Sequence, residues 1–324
     1  MMKKNLSSSG VLSRVRELSF LYTLLGFLVI FVISSFLSPS FLKVSNILTI
    51  LRQAGLLVIL SMGLTAVVIT GNIDLSVAHC AALTGCICAK MMTSGYSIPV
   101  SILASLLVGV VTGLFNGVLV GVLNLPSFIA SYGTRMVLSG LAIIVMNGGV
   151  IYGLDEKFQY LANGYVGPVP FLVILAAVLV AILAFVYYKT TYGRQLYMYG
   201  SNHMAAKYSG MNTLFILISA YVLSGLCASI GGVILAARAN AADSTMASPY
   251  VLQTVAAVVV GGTSLLGGEG GVIGTVIGSL VLVMITNIMN ILMIDSNWQN
   301  LVIGISILLM VWIDVSTRKS RMKK

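Results

Sequence analysis

The sequence predicts an all-α integral membrane protein of about ten transmembrane helices, some of them discontinuous, with both termini in the cytoplasm. Hydrophobic residues fill 58% of the 324 positions and charged residues only 8%, and the mean hydropathy is +1.05. A soluble domain keeps about a quarter of its residues charged, so the solvent of this chain is largely a lipid bilayer. Its apolar residues fall in runs that approach or reach the roughly 20 residues a helix needs to cross a bilayer core. The 18 Lys and Arg outnumber the 8 Asp and Glu and gather at the chain ends and in one internal loop, where they set orientation. No aromatic–basic interleaving or zinc spacing accompanies that charge, so no nucleic-acid partner is expected.

Proline placement divides the chain. All six prolines (Pro39, Pro99, Pro126, Pro168, Pro170 and Pro249) fall at edges of apolar runs, where a residue without an N–H costs least. Spans are expected near 20–37, 52–70, 77–93, 98–123, 126–147, 169–188, 213–237, 250–264, 271–292 and 298–315. No small-residue cleavage pattern follows the first run, which reads as a span rather than a signal peptide.

An even number of spans puts both termini on one side. Lys3, Lys4, Arg14 and Arg16 precede the first span, and Arg318, Lys319, Arg321, Lys323 and Lys324 follow the last. The loop 189–212 adds Lys189, Arg194 and Lys207, whereas 148–168 sets Asp155 and Glu156 against Lys157 alone. Termini and the 189–212 loop therefore face the cytoplasm; Lys43 and Arg52 are exceptions, falling outside. The organisation is a cytoplasmic segment 1–19, a single transmembrane domain 20–315 and a basic tail 316–324. No G-x-x-x-x-G-K-[ST] phosphate loop occurs, so any ATP that drives this chain is hydrolysed by another subunit. No bound cofactor or metal is expected. Cys80, Cys86, Cys88 and Cys227 have the wrong spacing for a redox pair or a zinc knuckle and read as small packing residues.

Three segments can carry function. The first, Thr70-Gly71-Asn72-Ile73-Asp74-Leu75-Ser76, interrupts apolar sequence on both sides. Asp74 and Ser76 can accept from the freed N–H groups that open the next helix. The stretch reads either as a broken helix lining a route at membrane depth or as a short cytoplasmic turn with Asp74 as its cap. The second is the loop 189–212, where Ala205, Ala206 and Gly210 suggest a short helix with a smooth face that seats in a partner's groove. A solvated basic loop is the plain alternative.

The third runs from Gly261 to Gly278. It lacks the lysine of a phosphate cradle, and Gly270, Gly274 and Gly278 would give one smooth helix face for close packing, with Gly262 and Gly268 beside them. The second and eighth spans also end alike, at Gly71 and Gly262, a hint of an internal repeat.

Polar residues inside spans are few. Asn116, Arg135, Asn287 and Asn290 are the main ones, and Asn287 and Asn290 share a helix face. The amides either bond a hydroxylated solute in transit or hold helices together at about 1 kcal/mol each. Arg135 is near enough to a helix end to snorkel. No ladder of intramembrane Asp, Glu or His suggests a proton pump.

These segments resemble the permease subunits of ribose-type ABC sugar importers, within the binding-protein-dependent transport permeases. Gly71-Asn72-Ile73-Asp74-Leu75-Ser76-Val77-Ala78 is similar to that family's G-G-I-D-L-S-V-G, and Gly200 to Gly210, with Asn202, Ala205, Ala206 and Ser209, to its G-N-x-x-A-A-x-x-S-G. Ala256 to Gly270 matches A-A-V-V-I-G-G-T-S-x-x-G-G-x-G, and Trp298-Gln299 resembles its S-x-W-Q ending. The resemblance implies a permease homodimer in a bacterial inner membrane, a cytoplasmic ATP-binding subunit that carries ATP and Mg, and an extracytoplasmic solute-binding protein.

In such a machine Gly200, Asn202, Ala205, Ala206 and Gly210 would couple to the ATPase. Asn72, Asp74, Ser76, Asn116, Asn287 and Asn290 would line the path. Asn72 for a glycine, and Ala78-His79 for a Gly-Ser pair, depart from the family pattern and leave the solute open among pentoses, hexoses, sugar-derived signals, nucleosides and purines. An ion- or proton-coupled carrier that works alone is the competing class.

Overall fold

The computed structural model describes the backbone of residues 8–322 and the side chains of residues 23–306, 308, 309 and 312. The terminal basic residues on which the expected orientation rests, from Lys3 to Arg16 and from Arg318 to Lys324, lie outside the described side chains. Among the described residues thirteen helices follow one another: α1 (Ser8–Leu37), α2 (Val44–Ile69), α3 (Val77–Thr93), α4 (Ile98–Gly121), α5 (Ser127–Met146), α6 (Glu156–Asn163), α7 (Phe171–Lys189), α8 (Thr191–Ser201), α9 (His203–Tyr208), α10 (Thr213–Ala239), α11 (Tyr250–Val260), α12 (Val272–Ile291) and α13 (Ser296–Met322).

Each expected span is occupied by one helix. Among the described residues, α2, α4, α5, α7, α10 and α12 are long and apolar enough to cross a membrane; Thr23–Leu37 of α1, α3 and α11 are shorter apolar helices. The chain is a helical membrane protein. The all-α expectation needs one small amendment. Four two-residue strands, β1 (Ile151–Tyr152), β2 (Tyr165–Val166), β3 (Val169–Pro170) and β4 (Ala241–Ala242), form two antiparallel pairs, β1 with β4 and β2 with β3.

α2 occupies the centre. From Ala54 to Ile69 every residue is buried, so the helix is covered all round, by α10, α12, α11 and α7. It starts earlier than expected, at Val44, because its first turns are held from the side. The Asn46 amide donates to the Phe41 carbonyl at 2.9 Å, and the Arg52 guanidinium lies 4.6 Å from the Tyr165 ring centroid, so a charge in the helix is accommodated. The outer helices show the opposite pattern. Val100, Leu103, Leu107, Val111 and Leu114 form an exposed apolar stripe on α4 at helical spacing.

The other side of α4 is made of small residues. Gly109, Gly113 and Gly117 press on α10, and a Cβ on Gly113 would overlap the Tyr221 carbonyl. Lipid tails are as apolar as the helices, so association comes from close packing of this kind. The same logic joins α11 to α12. Gly274 and Gly261 back onto each other's carbonyls, and Gly278 onto that of Ala257.

The segment 148–168, left between two expected spans, contains α6, capped by Asp155, whose Oδ1 accepts from the Lys157 amide at 2.7 Å. With β1 to β4 it covers the end of the bundle where α10 stops and α2 starts. The 189–212 loop lies at the other end and is almost entirely helical, as α8 and α9.

Candidate functional site

The break at 70–76 is built by backbone geometry and then locked by one carboxylate. α2 ends in a Schellman motif: Gly71 N donates to Val68 O at 2.9 Å and Asn72 N to Val67 O at 3.2 Å, with Gly71 at φ +78. The Asn72 side chain folds back onto Thr70 Oγ1 at 3.1 Å. Ile73 is held at its carbonyl by the Tyr221 hydroxyl, 3.3 Å, and at its amide by Ser127 Oγ, 3.3 Å. The segment is therefore tied to α5 and α10, with Asp74 and Ser76 buried and Gly71 exposed.

Asp74 is 3% exposed. Its Oδ1 accepts from the Ser76 amide at 2.9 Å, the Ser76 hydroxyl at 2.6 Å and Asn116 Nδ2 at 3.5 Å, and its Oδ2 from Ser224 Oγ at 2.8 Å. Asn116 Nδ2 also donates to Ser76 Oγ at 2.8 Å, and its Oδ1 accepts from Thr134 Oγ1 at 2.6 Å. One carboxyl group thus joins α3, α4 and α10 directly, and α5 through Asn116. A buried carboxylate is tolerable only when its lone pairs are answered, and here four donors answer them. Asp74 caps at the amide of Ser76, while the Ser76 side chain caps nothing in α3.

The other polar residues singled out as path candidates sit in helix contacts. Asn287 on α12 and Asn46 on α2 exchange two hydrogen bonds, 2.9 and 3.1 Å, and Asn290 Oδ1 accepts from Gln299 on α13 at 2.7 Å. Asn46 went unnoticed in the sequence because it precedes the expected span. Thr65 with Thr275, 2.7 Å apart, and Ser224, Thr134 and Tyr221 went unnoticed because single hydroxyls in apolar helices carry no spacing signal.

α8 and α9 form an elbow. Thr190 Oγ1 accepts from the Gly193 amide at 3.3 Å and caps α8; Asn202 Oδ1 accepts from the Ala205 amide at 3.0 Å and caps α9. Leu196, Tyr199 and Ala206 are buried beneath it, while Met198, Ala205, Lys207 and Tyr208 are exposed. Gly210, at φ +78, turns the chain into α10. Burial pushes the Tyr192 phenol above the usual tyrosine range, against its hydrogen bond with Ser219, and burial acts in the same direction on Tyr199. Both stay neutral and hold the elbow to the bundle by packing.

The glycine-rich loop 261–271 crosses between these two segments. Gly262, Gly267, Gly268, Gly270 and Gly271 all have positive φ. Gly268 N donates to the Ile69 carbonyl at 2.8 Å, and the Tyr197 hydroxyl to the Gly270 carbonyl at 2.9 Å. Gly200 packs against both Ile69 and Gly268, and a Cβ there would overlap the Ile69 carbonyl. The structure therefore brings the three sequence motifs to one point: the end of α2, the end of α8 and the glycine loop. Gly200 faces into this joint, whereas Ala205 faces outward. Gly274 and Gly278 lie in the contact between α11 and α12, whereas Gly262, Gly268 and Gly270 serve turns.

Residues 46–311 match the family of the branched-chain amino acid transport system / permease component. The chain belongs to this family. Among its relatives are the ribose import permease protein of Bacillus subtilis (strain 168), 39% identical over 90% of this chain and 91% of that protein, and the ribose import permease protein of Escherichia coli (strain K12), 36% identical over 90% and 92%. The autoinducer 2 import system permease protein of Escherichia coli O157:H7 is 33% identical over 90% and 85%. No solved structure matches the permease. The permease is a ribose-type ABC transport component, multi-pass in the inner membrane, and not an enzyme.

Proposed function

We propose that the permease forms the translocation path of an importer for a sugar or sugar-like solute, with ATP and Mg held and ATP hydrolysed by a separate cytoplasmic subunit. An extracytoplasmic binding protein delivers the solute, and two permease copies enclose the path. About ten helices span the bilayer, with both termini cytoplasmic. The sugar reading draws on relatives named for ribose and autoinducer 2, whereas the family's own description names branched-chain amino acids.

The observation that carries the mechanism is the joint at Ile69, Gly200 and Gly268. Backbone-to-backbone contact leaves no side chain to flex, so a push on the α8–α9 elbow moves the end of α2 and the glycine loop together. The outward face of α9, with Ala205, is the surface offered to the ATPase; Asn202 and Gly210 shape it, and Gly200 transmits its motion. Asp74, Ser76 and Asn116 hold the break at 70–76 beside the path and keep α3 in register with α4 and α10. Asn72 stands at the mouth of that break.

Coupling of this kind needs contacts that differ between two states. The test is uptake into proteoliposomes that contain the permease with its co-purifying ATPase and binding protein. Solute should accumulate only with ATP and with both partners. Accumulation by the chain alone overturns the proposal and favours an ion-coupled carrier.

A further inference from the structure

Four buried polar atoms have no hydrogen-bond partner among the described residues: Arg52 Nε, Ser61 Oγ, His79 Nδ1 and Arg135 Nε. Two of them belong together. His79 stands on α3 and Arg135 on α5, helices in direct contact, and the Arg135 charge is near enough to act on the His79 imidazole. His79 is only 9% exposed. The Arg135 guanidinium lies 5.4 Å from the ring centroid of Tyr132, which is itself 43% exposed. No carboxylate among the described residues pairs with Arg135. Asp74, in the break that precedes α3, is already satisfied by Ser76, Ser224 and Asn116.

An arginine within a spanning helix is costly and nearly always faces a protein interior or a water-filled cavity, with a partner. Here the chain supplies a ring to stack on and leaves nitrogens free. A guanidinium fork donates only, an imidazole nitrogen donates when it carries the ring proton, and the group such a pair fits is a planar or tetrahedral oxyanion. His79 also occupies the position where the family pattern carries a serine, so this pair is a departure from the sugar-permease motif at the very place where side chains meet.

We propose that His79 and Arg135, backed by the Tyr132 ring, form an oxyanion-binding pair on the transport route, and that the solute carries a carboxylate or phosphate, as a sugar acid or sugar phosphate does. The proposal rests on the permease reading for its route, but its test does not depend on ATP. Ser139 lies one turn beyond Arg135 on α5 and is half-buried, and the four native cysteines are all buried, so Ser139→Cys reports on this face. The full-length variant is placed in phosphatidylcholine nanodiscs and treated with anionic and cationic methanethiosulfonates.

The anionic reagent should react about tenfold faster than the cationic one. Arg135→Gln should abolish that preference and Arg135→Lys should keep it, which separates charge from fold. Sodium ribonate should slow the reaction, and ribose at the same concentration should not. No reaction with either reagent places the face in lipid and overturns the proposal. So does equal protection by ribose, or no protection by ribonate. A preference that disappears only when phosphatidylglycerol is added identifies a lipid headgroup as the ligand and equally overturns it. ATP-driven uptake is measured separately, so failure of the importer reading leaves the reagent preference intact and the reverse also holds.

Discussion

The carbonyl of Ile69, at the end of α2, accepts a hydrogen bond from the Gly268 amide at 2.8 Å, although the two residues are separated by most of the chain. Gly200 closes the contact from the third side. The elbow, the helix break and the glycine loop therefore meet backbone to backbone.

Gly200→Ala tests that joint. The new methyl group would overlap the Ile69 carbonyl, and such overpacking costs about 1–3 kcal/mol. ATP-driven uptake should fall at least about tenfold, the rate equivalent of about 1.4 kcal/mol, with normal amounts of protein in the membrane. Wild-type uptake would show that the joint carries no motion.

Ala205 and Ala206 should behave oppositely. Ala206 is 2% exposed and Ala205 is exposed. Ala206→Trp should destabilise the elbow and lower the thermal midpoint in detergent. Ala205→Trp should leave the midpoint unchanged while the ATPase no longer co-purifies. Loss of the ATPase from both variants at equal midpoints would remove the distinction between inner and outer faces.

Asp74→Ala leaves the Ser76 amide, the Ser76 hydroxyl and the Ser224 hydroxyl without their acceptor. Removing one member of a buried charged cluster costs about 3–5 kcal/mol, so the variant should unfold well below the native temperature. Ser224→Ala removes one donor and should cost about 1–3 kcal/mol. A midpoint for Asp74→Ala within error of Ser224→Ala would mean the carboxylate is not what holds α3, α4 and α10 together.

Asn46 and Asn287 allow a double-mutant cycle. If Asn287 serves only Asn46, Asn46→Ala, which also gives up the bond to the Phe41 carbonyl, should cost at least as much as Asn287→Ala, and the double variant little more than Asn46→Ala, with a coupling of about 0.6–1.7 kcal/mol. Transport should change equally in both. A selective loss of transport in Asn287→Ala would return Asn287 to the solute path.

Span edges were legible because Gly, Pro and polar clusters interrupt long apolar runs, and both breaks announced themselves as Gly71 to Ser76 and Gly261 to Gly271. α6 was missed because it has only eight residues and lies in a polar segment with no apolar run around it. The Asp74 cluster was half legible. An aspartate between two apolar helices stands out, but Ser224, which answers it directly, and Thr134, which reaches it only through Asn116, look like any other hydroxyl in a hydrophobic helix.

Composition and periodicity alone determined that this chain lives in lipid, where its apolar spans lie and which short segments resist the helix, because those properties follow from local transfer energies and backbone preferences. Only the tertiary structure decided that Gly200 points inward and Ala205 outward, that Asn287 meets Asn46, and that Arg135 lies beside an unpartnered His79. Contacts between residues far apart in sequence depend on how the helices are rotated against one another, and in a bilayer that rotation is set by small differences in packing that leave little trace in any one segment.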